Sequence, residues 1–185
     1  MSLAERAQAL QDEARRLAER LELQSAFPWR AQVIGSALSG LMVERDLDVM
    51  FDAPDATATA VLEGLAALAH RVELRSVDFR DERGDRRPTP AITDERFYAV
   101  LHTDPWKIDL TFWLHVVERP HVGQAERLRD APENQRLTIL RLKDQCPEVE
   151  SSDIYAAVLE DGVRTVEELK SAGRPATPPD GRHSL

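Results

Sequence analysis

The segment VIGSALSGLMVERDLDVMF, residues 33–51, constrains the fold of this chain more than any other stretch. An apolar run enters Gly35-Ser36, a loop with a second glycine, Gly40, follows, and a second apolar run opens with Asp46-Leu47-Asp48. Side chains alternate between the two faces of a strand, so Leu47, Val49 and Phe51 share one face and Asp46, Asp48 and Met50 the other. Carboxylates two positions apart on a strand have Cα atoms roughly 6.6 Å apart, close enough to grip one or two hard cations such as Mg²⁺. Gly35, without a Cβ, lets the backbone turn tightly and approach a ligand. Ser36 offers a hydroxyl and a backbone N–H to a phosphate oxygen.

In a chain that is 31% charged, Asp-x-Asp also arises by chance, and a strand with one solvated face accounts for it. The third acid changes the balance. Asp109 lies in WKIDLTFWL, between Ile108 and Leu110, in the most apolar strand candidate of the chain. Charged side chains are rarely buried unless they are paired or bind a metal. Taken alone, that strand reads as one polar face carrying Lys107, Asp109 and Thr111, or as an ion pair made by Lys107. Together with Asp46 and Asp48, it supplies a third strand-borne carboxylate for a cluster that holds two cations for phosphoryl chemistry.

Around these segments the periodicity predicts a mixed α+β (or α/β) domain with a four- to five-stranded sheet. Leu3, Ala7, Leu10, Ala14, Leu17 and Leu21 form one narrow apolar seam of a helix over residues 3–22, packed on its own domain or on a second copy. WRAQVI at residues 29–34 is a short strand, and Pro54-Asp55 opens a helix with Asp55 as N-cap and Val61, Leu62, Leu65, Leu68 and Ala69 as its buried stripe. Further strands are expected at residues 71–79, 96–103 and 106–114, the last two joined through Asp104-Pro105 as a hairpin. The charged stretch RDERGDRRPTPAITDE between them, with Gly84, Pro88 and Pro90, reads as a mobile loop. Its arginines Arg80, Arg83, Arg86 and Arg87 alternate with acids, as on a solvated loop, although they could also close over an anionic substrate. Several strands are near-continuous apolar runs, which implies a sheet covered on both faces.

From Pro120 the pattern turns helical, with segments around Leu137 and Leu140, at residues 153–160, and after Thr165, which has capping-box spacing to Glu168. The boundaries expected are a core at residues 1–118, a small C-terminal helical region at 119–172, and a disordered tail at 173–185, where RPATPPDGRHSL is rich in proline and polar residues. The formal charge of -9, with 33 acids against 24 bases, argues against general nucleic-acid binding. It favours a small-molecule or protein substrate. No apolar run reaches the ~18–20 residues that span a bilayer. The start, MSLAERAQAL, lacks the apolar core of a signal peptide, and a single cysteine, Cys146, suits a cytoplasmic setting. The histidines His70, His102, His115 and His121 show no zinc-ligand spacing. Trp106 and Trp113 read as core or rim packing.

The arrangement of an apolar residue, Gly35-Ser36, a loop, Asp46-x-Asp48 on a strand and Asp109 on a later strand resembles the nucleotidyltransferase superfamily related to DNA polymerase β. Residues 37–45 make a spacer of the length that family uses. The resemblance covers roughly residues 29–114. Its closer flavour is the small bacterial nucleotidyltransferases, which include aminoglycoside adenylyltransferases and minimal nucleotidyltransferase antitoxins. KIDLTFW in particular is similar to the third-carboxylate strand of streptomycin-type adenylyltransferases. Two positions depart from the pattern: Arg45 stands where many relatives have Ser or Thr, and Ser39 where many have Arg or Lys. The C-terminal region is also smaller than that of many antibiotic-modifying relatives.

The resemblance implies that Gly35 and Ser36 hold the β- and γ-phosphates of a nucleoside triphosphate. It implies that Asp46 and Asp48 bind two Mg²⁺ ions, and that Asp109 binds the catalytic ion and helps to activate an acceptor hydroxyl. The reaction implied is transfer of a nucleoside monophosphate, AMP from ATP above all, to a small hydroxylated molecule with release of pyrophosphate. The alternatives are an antitoxin-like protein that modifies or binds a partner protein, and a nucleotide-binding module without turnover. A homodimer stays open, and the acceptor pocket is expected between the sheet and residues 120–172.

Overall fold

The computed structural model describes residues 1–90, 94–115 and 120–172. Helix α1 (Leu3–Leu21) begins at a capping box: the Ser2 hydroxyl accepts the Glu5 N–H at 3.2 Å, and the Glu5 carboxylate accepts the Ser2 N–H at 2.6 Å. Its seam is the one expected, with Ala7, Leu10, Ala14, Leu17 and Leu21 all buried. A one-turn helix α2 (Leu23–Ala26) leads to β1 (Ala31–Val33). Gly35 then opens a short helix α3 (Gly35–Ser39), so the turn after β1 is helical where a loop is expected from the sequence. Strand β2 (Asp46–Asp52) is followed by α4 (Ala58–Leu68).

The cap of α4 is Thr57, whose side chain accepts the Ala60 N–H at 3.2 Å. Asp55 does not cap this helix. Its carboxylate instead accepts the Trp29 indole N–H at 2.6 Å. Strand β3 (Ser76–Glu82) starts and ends later than the pattern suggests, and it takes Arg80 and Glu82 out of the expected loop. A 3₁₀ turn at Gly84–Arg86 follows. Strands β4 (Arg96–His102) and β5 (Lys107–Trp113) form the expected hairpin, which contains a cis Asp104-Pro105 bond. Helices α5 (Pro120–Arg129), α6 (Glu133–Gln145), α7 (Ser151–Leu159) and α8 (Val166–Ser171) complete the described chain, and the Thr165–Glu168 capping box is formed. The tail called disordered from the sequence lies outside the described residues.

The five strands make one mixed sheet in the order β1-β2-β5-β4-β3. All neighbours are antiparallel except β2 and β5, which run parallel with Asp46 opposite Lys107 and Asp48 opposite Asp109. One face of the sheet, built from Leu47, Val49, Phe51, Phe97, Ala99, Leu101, Ile108, Leu110 and Phe112, packs with α1 and α4 into the main core. Phe51 and Phe112 stack there with ring centroids 4.5 Å apart. The other face is covered as well, with Asp48, Arg96, Tyr98 and Asp109 all buried, and it is more polar than the first. It carries Asp46 and Asp48, Lys107 and Asp109, and Arg96 and Tyr98 by strand alternation.

A second core joins α5 to α7 to the start of α1 through Ala7, Leu128, Ile139, Leu142, Ile154 and Val158. The segment between α3 and β2 enters both cores, Leu41 the second and Met42 the first, each with no exposed surface. No helix among the described residues is long and apolar enough to cross a membrane.

Candidate metal centre

Three of the five sequence-derived site residues meet through the parallel register of β2 and β5. Opposed carboxylates on neighbouring strands repel and weaken a sheet, yet Asp48 and Asp109 face each other with only 8% and 3% of their surfaces exposed. Asp46 stands one strand pleat away and is less covered. One carboxylate oxygen from each of Asp46, Asp48 and Asp109 lies within 4.8 Å of the others. Among the described residues this is the one group of three or more acids, histidines or cysteines so placed.

The electrostatics agree with a site arranged around a cation. The carboxyl of Asp46 is pushed up to about 7, first by burial, then by the negative charge of Asp48, with Lys107 opposing the rise and Asp109 adding to it. Lys107 answers part of this charge from inside the cluster. Its Nζ lies 3.3 Å from Asp46 Oδ2 and 3.0 Å from Asp109 Oδ2. Burial alone would lower the Lys107 ammonium, but the pull of Asp46 and Asp109 outweighs it and holds the group above the usual lysine range.

Asp109 is oriented by two donors on one oxygen. The Tyr98 hydroxyl donates to Oδ2 at 2.7 Å, and Lys107 donates to the same atom. Asp109 Oδ1 and Asp46 Oδ1 are buried without a hydrogen-bond partner. A buried acceptor left unmade is costly, and a hard divalent cation is the ligand that such oxygens suit. The residues present therefore fit Mg²⁺ or a similar ion.

Gly35 completes the neighbourhood, with Ser36 next to it in α3. Gly35 has φ +63°, and a Cβ at this position would collide with Asp48 Oδ2, so the backbone of the turn lies directly against the metal-ligand strand. The Ile34 N–H bonds to the Asp48 carbonyl at 3.0 Å and fixes that approach.

Tyr98, which no local sequence pattern singles out, joins this cluster through its bond to Asp109. It pairs with Thr111, so Asp109 is its diagonal neighbour across the hairpin, a relation visible only once the register is known. Behind it, Arg96 forms an ion pair with Glu82 at 2.5 Å, both side chains 4% exposed, and lies 4.9 Å from the Tyr98 ring centroid and 5.2 Å from that of Trp113. The remaining candidates have partners of their own, and the Arg80 guanidinium also stands 6.0 Å from the Tyr98 ring centroid. Arg80 pairs with Asp78, Arg83 and Arg86 pair with Asp81, and His115 pairs with Glu95. Trp106 is buried in the main core. Cys146 is buried, and burial pushes its thiol up, away from the reactive thiolate.

No protein-family model matches the chain, and no curated protein does. Among solved structures the chain is similar to a cytoplasmic RNA terminal U-transferase, with a TM-score of 0.60 and 16% identity over 80% of this chain. The match takes in 45% of that enzyme, so this chain spans less than half of its length. At such identity the likeness shows a common architecture: a mixed open sheet flanked by helices, as in that transferase.

Proposed function

We propose that the chain is a Mg²⁺-dependent nucleotidyltransferase that moves a nucleoside monophosphate, AMP from ATP above all, onto a hydroxyl of a small-molecule acceptor. The observation that carries this reading is the convergence of Asp46, Asp48 and Asp109 within 4.8 Å, against a glycine turn that admits no side chain. The shared architecture with a terminal U-transferase supports it. The acidic charge of -9 favours a small acceptor over a polyanion.

Asp46, Asp48 and Asp109 hold the cation, which when bound neutralises phosphate charge and steadies the attacking and leaving oxygens. Gly35 lets the phosphates approach the carboxylates closely, and Ser36 donates its N–H and hydroxyl to their oxygens. Asp109 helps to activate the acceptor hydroxyl, whose proton passes to solvent. The acceptor oxygen bonds to the α-phosphorus, the bond from that phosphorus to the β-bridging oxygen breaks, and pyrophosphate leaves.

The test is pyrophosphate release with Mg²⁺ and each of the four nucleoside triphosphates, against small hydroxylated acceptors and proteins, read by mass shift. Asp46→Asn with Asp48→Asn is expected to abolish release. Unchanged activity in that double variant would sink the proposal, and a mass shift on a protein alone would move the acceptor class to a partner.

A further inference from the structure

The chemistry above gives the C-terminal helices no task, yet two of their cations reach into the segment that follows Gly35-Ser36. Arg136 and Lys143 lie about two helical turns apart on one face of α6. Lys143 is 8% exposed, and its Nζ donates to the Leu41 carbonyl at 2.9 Å and to the Tyr155 hydroxyl at 3.2 Å. Arg136 Nη1 donates to the Ser39 carbonyl at 2.8 Å and to the Leu128 carbonyl, at the end of α5, at 2.7 Å. Gln11 of α1 adds a grip on the Ala37 carbonyl at 2.9 Å.

A buried ammonium is costly, and Lys143 spends its donors on neutral oxygens of this one neighbourhood. The hydrogen bonds then continue towards the acids. The Leu41 N–H donates to the Ser36 carbonyl at 3.1 Å, and the Gly40 N–H donates to the same oxygen. Ser36 adjoins Gly35, whose backbone presses on Asp48. The carboxylates themselves sit on β2 and β5, and none of these α6 contacts touches them.

We infer that Lys143 and Arg136 are positioning residues that lock residues 39–41 and thereby set the Gly35-Ser36 turn against Asp48, so that the helices following the sheet tune nucleotide affinity without contacting the metal. The nucleotide part of this inference rests on the nucleotidyl-transfer reading. The brace rests on the contacts alone.

The experiment compares wild type with Lys143→Met, Arg136→Met and the conservative Lys143→Arg. Three readouts are taken: amide exchange at residues 36–43, Mn²⁺ affinity by electron paramagnetic resonance, and KM and kcat with Mg-ATP. Loss of one charge-assisted hydrogen bond is expected to speed exchange at 36–43 about tenfold and raise KM about tenfold. Exchange in β2 and β5, Mn²⁺ affinity and kcat change little, and Lys143→Arg restores KM. Unchanged exchange at 36–43 in both methionine variants overturns the brace. Metal affinity and sheet protection falling in step with KM also overturns it, since that marks a merely structural loss. If Lys143→Met does not fold, Arg136→Met carries the same comparison. Wild type that binds Mn²⁺ but no Mg-ATP overturns the nucleotidyl-transfer reading, while the exchange data still decide the brace.

Discussion

Lys107 Nζ and Asp109 Oδ2 lie 3.0 Å apart, so a cation of the chain itself stands inside the carboxylate cluster. The side chain of Lys107 is 28% exposed against 4% for Asp109, so the lysine is the member of the pair that solvent reaches. Lys107→Met is expected to destabilise the metal-free protein by about 2 kcal/mol, the scale of a hydrogen bond to a charged group in a partly screened setting. Mg²⁺ then raises the melting temperature of the variant more than that of wild type, because the ion replaces the missing positive charge. Thermal melts with and without Mg²⁺ check this; equal shifts in both proteins would show that the lysine and the ion do not share the site.

The pH dependence follows from Asp46. Its folded value of about 7 lies above the ordinary 3.8, so its contribution to stability is fully present below 3.8 and is lost as pH rises through about 7. Metal-free protein therefore loses stability across that window, and Mg²⁺ restores it at the upper end. Below about 7 binding displaces a proton from Asp46, so apparent Mg²⁺ affinity climbs towards pH 7 and then levels. Calorimetry below pH 7 in buffers of different ionisation enthalpy measures the proton released, and Asp46→Asn is expected to abolish that release.

Tyr98→Phe keeps the ring beside Arg96 and removes only the donor to Asp109 Oδ2. On the proposed mechanism stability is expected to fall by about 1 kcal/mol and kcat by about tenfold, with nucleotide affinity unchanged, since the hydroxyl bonds to the Asp109 carboxylate. Steady-state kinetics beside a urea titration separates the two effects.

Gly35→Ala meets two obstacles at once, a left-handed backbone with φ +63° and the Asp48 carboxylate. The strain of the first is about 1 kcal/mol. The second forces the turn and the ligand strand apart, so Mn²⁺ affinity is expected to drop by at least about tenfold. Titration of the variant with Mn²⁺ reads this directly, and wild-type affinity would place the turn farther from Asp48 than the structure has it.

The acids and the glycine turn were readable because each obeys a local rule. Asp46 and Asp48 alternate with Leu47 and Val49 on one strand, and Asp109 interrupts an apolar run. Contacts that depend on distant pairing were not readable. Asp55 has the chemistry of an N-cap, but the chain places Thr57 at the helix start and uses Asp55 to satisfy the buried Trp29 indole. Arg80 and Glu82 look like loop residues by charge, yet β3 accommodates them at the sheet edge because Glu82 finds Arg96 on β4. Arg136 and Lys143 sit on an α6 pattern that reads as an ordinary amphipathic helix, and nothing local distinguishes them from surface cations. Only the packing of α6 on the α3–β2 connection gives them backbone oxygens to hold.

The parallel junction of β2 with β5 joins two pieces of the sheet: the β1–β2 ribbon from early in the chain and the β3–β4–β5 meander from later. The acids straddle that seam, two on one side and one on the other. A cation held by all three works as a rivet between the pieces, and it can be set only after they have docked. Ion uptake in such a molecule therefore requires the long-range pairing of β2 with β5 to be in place.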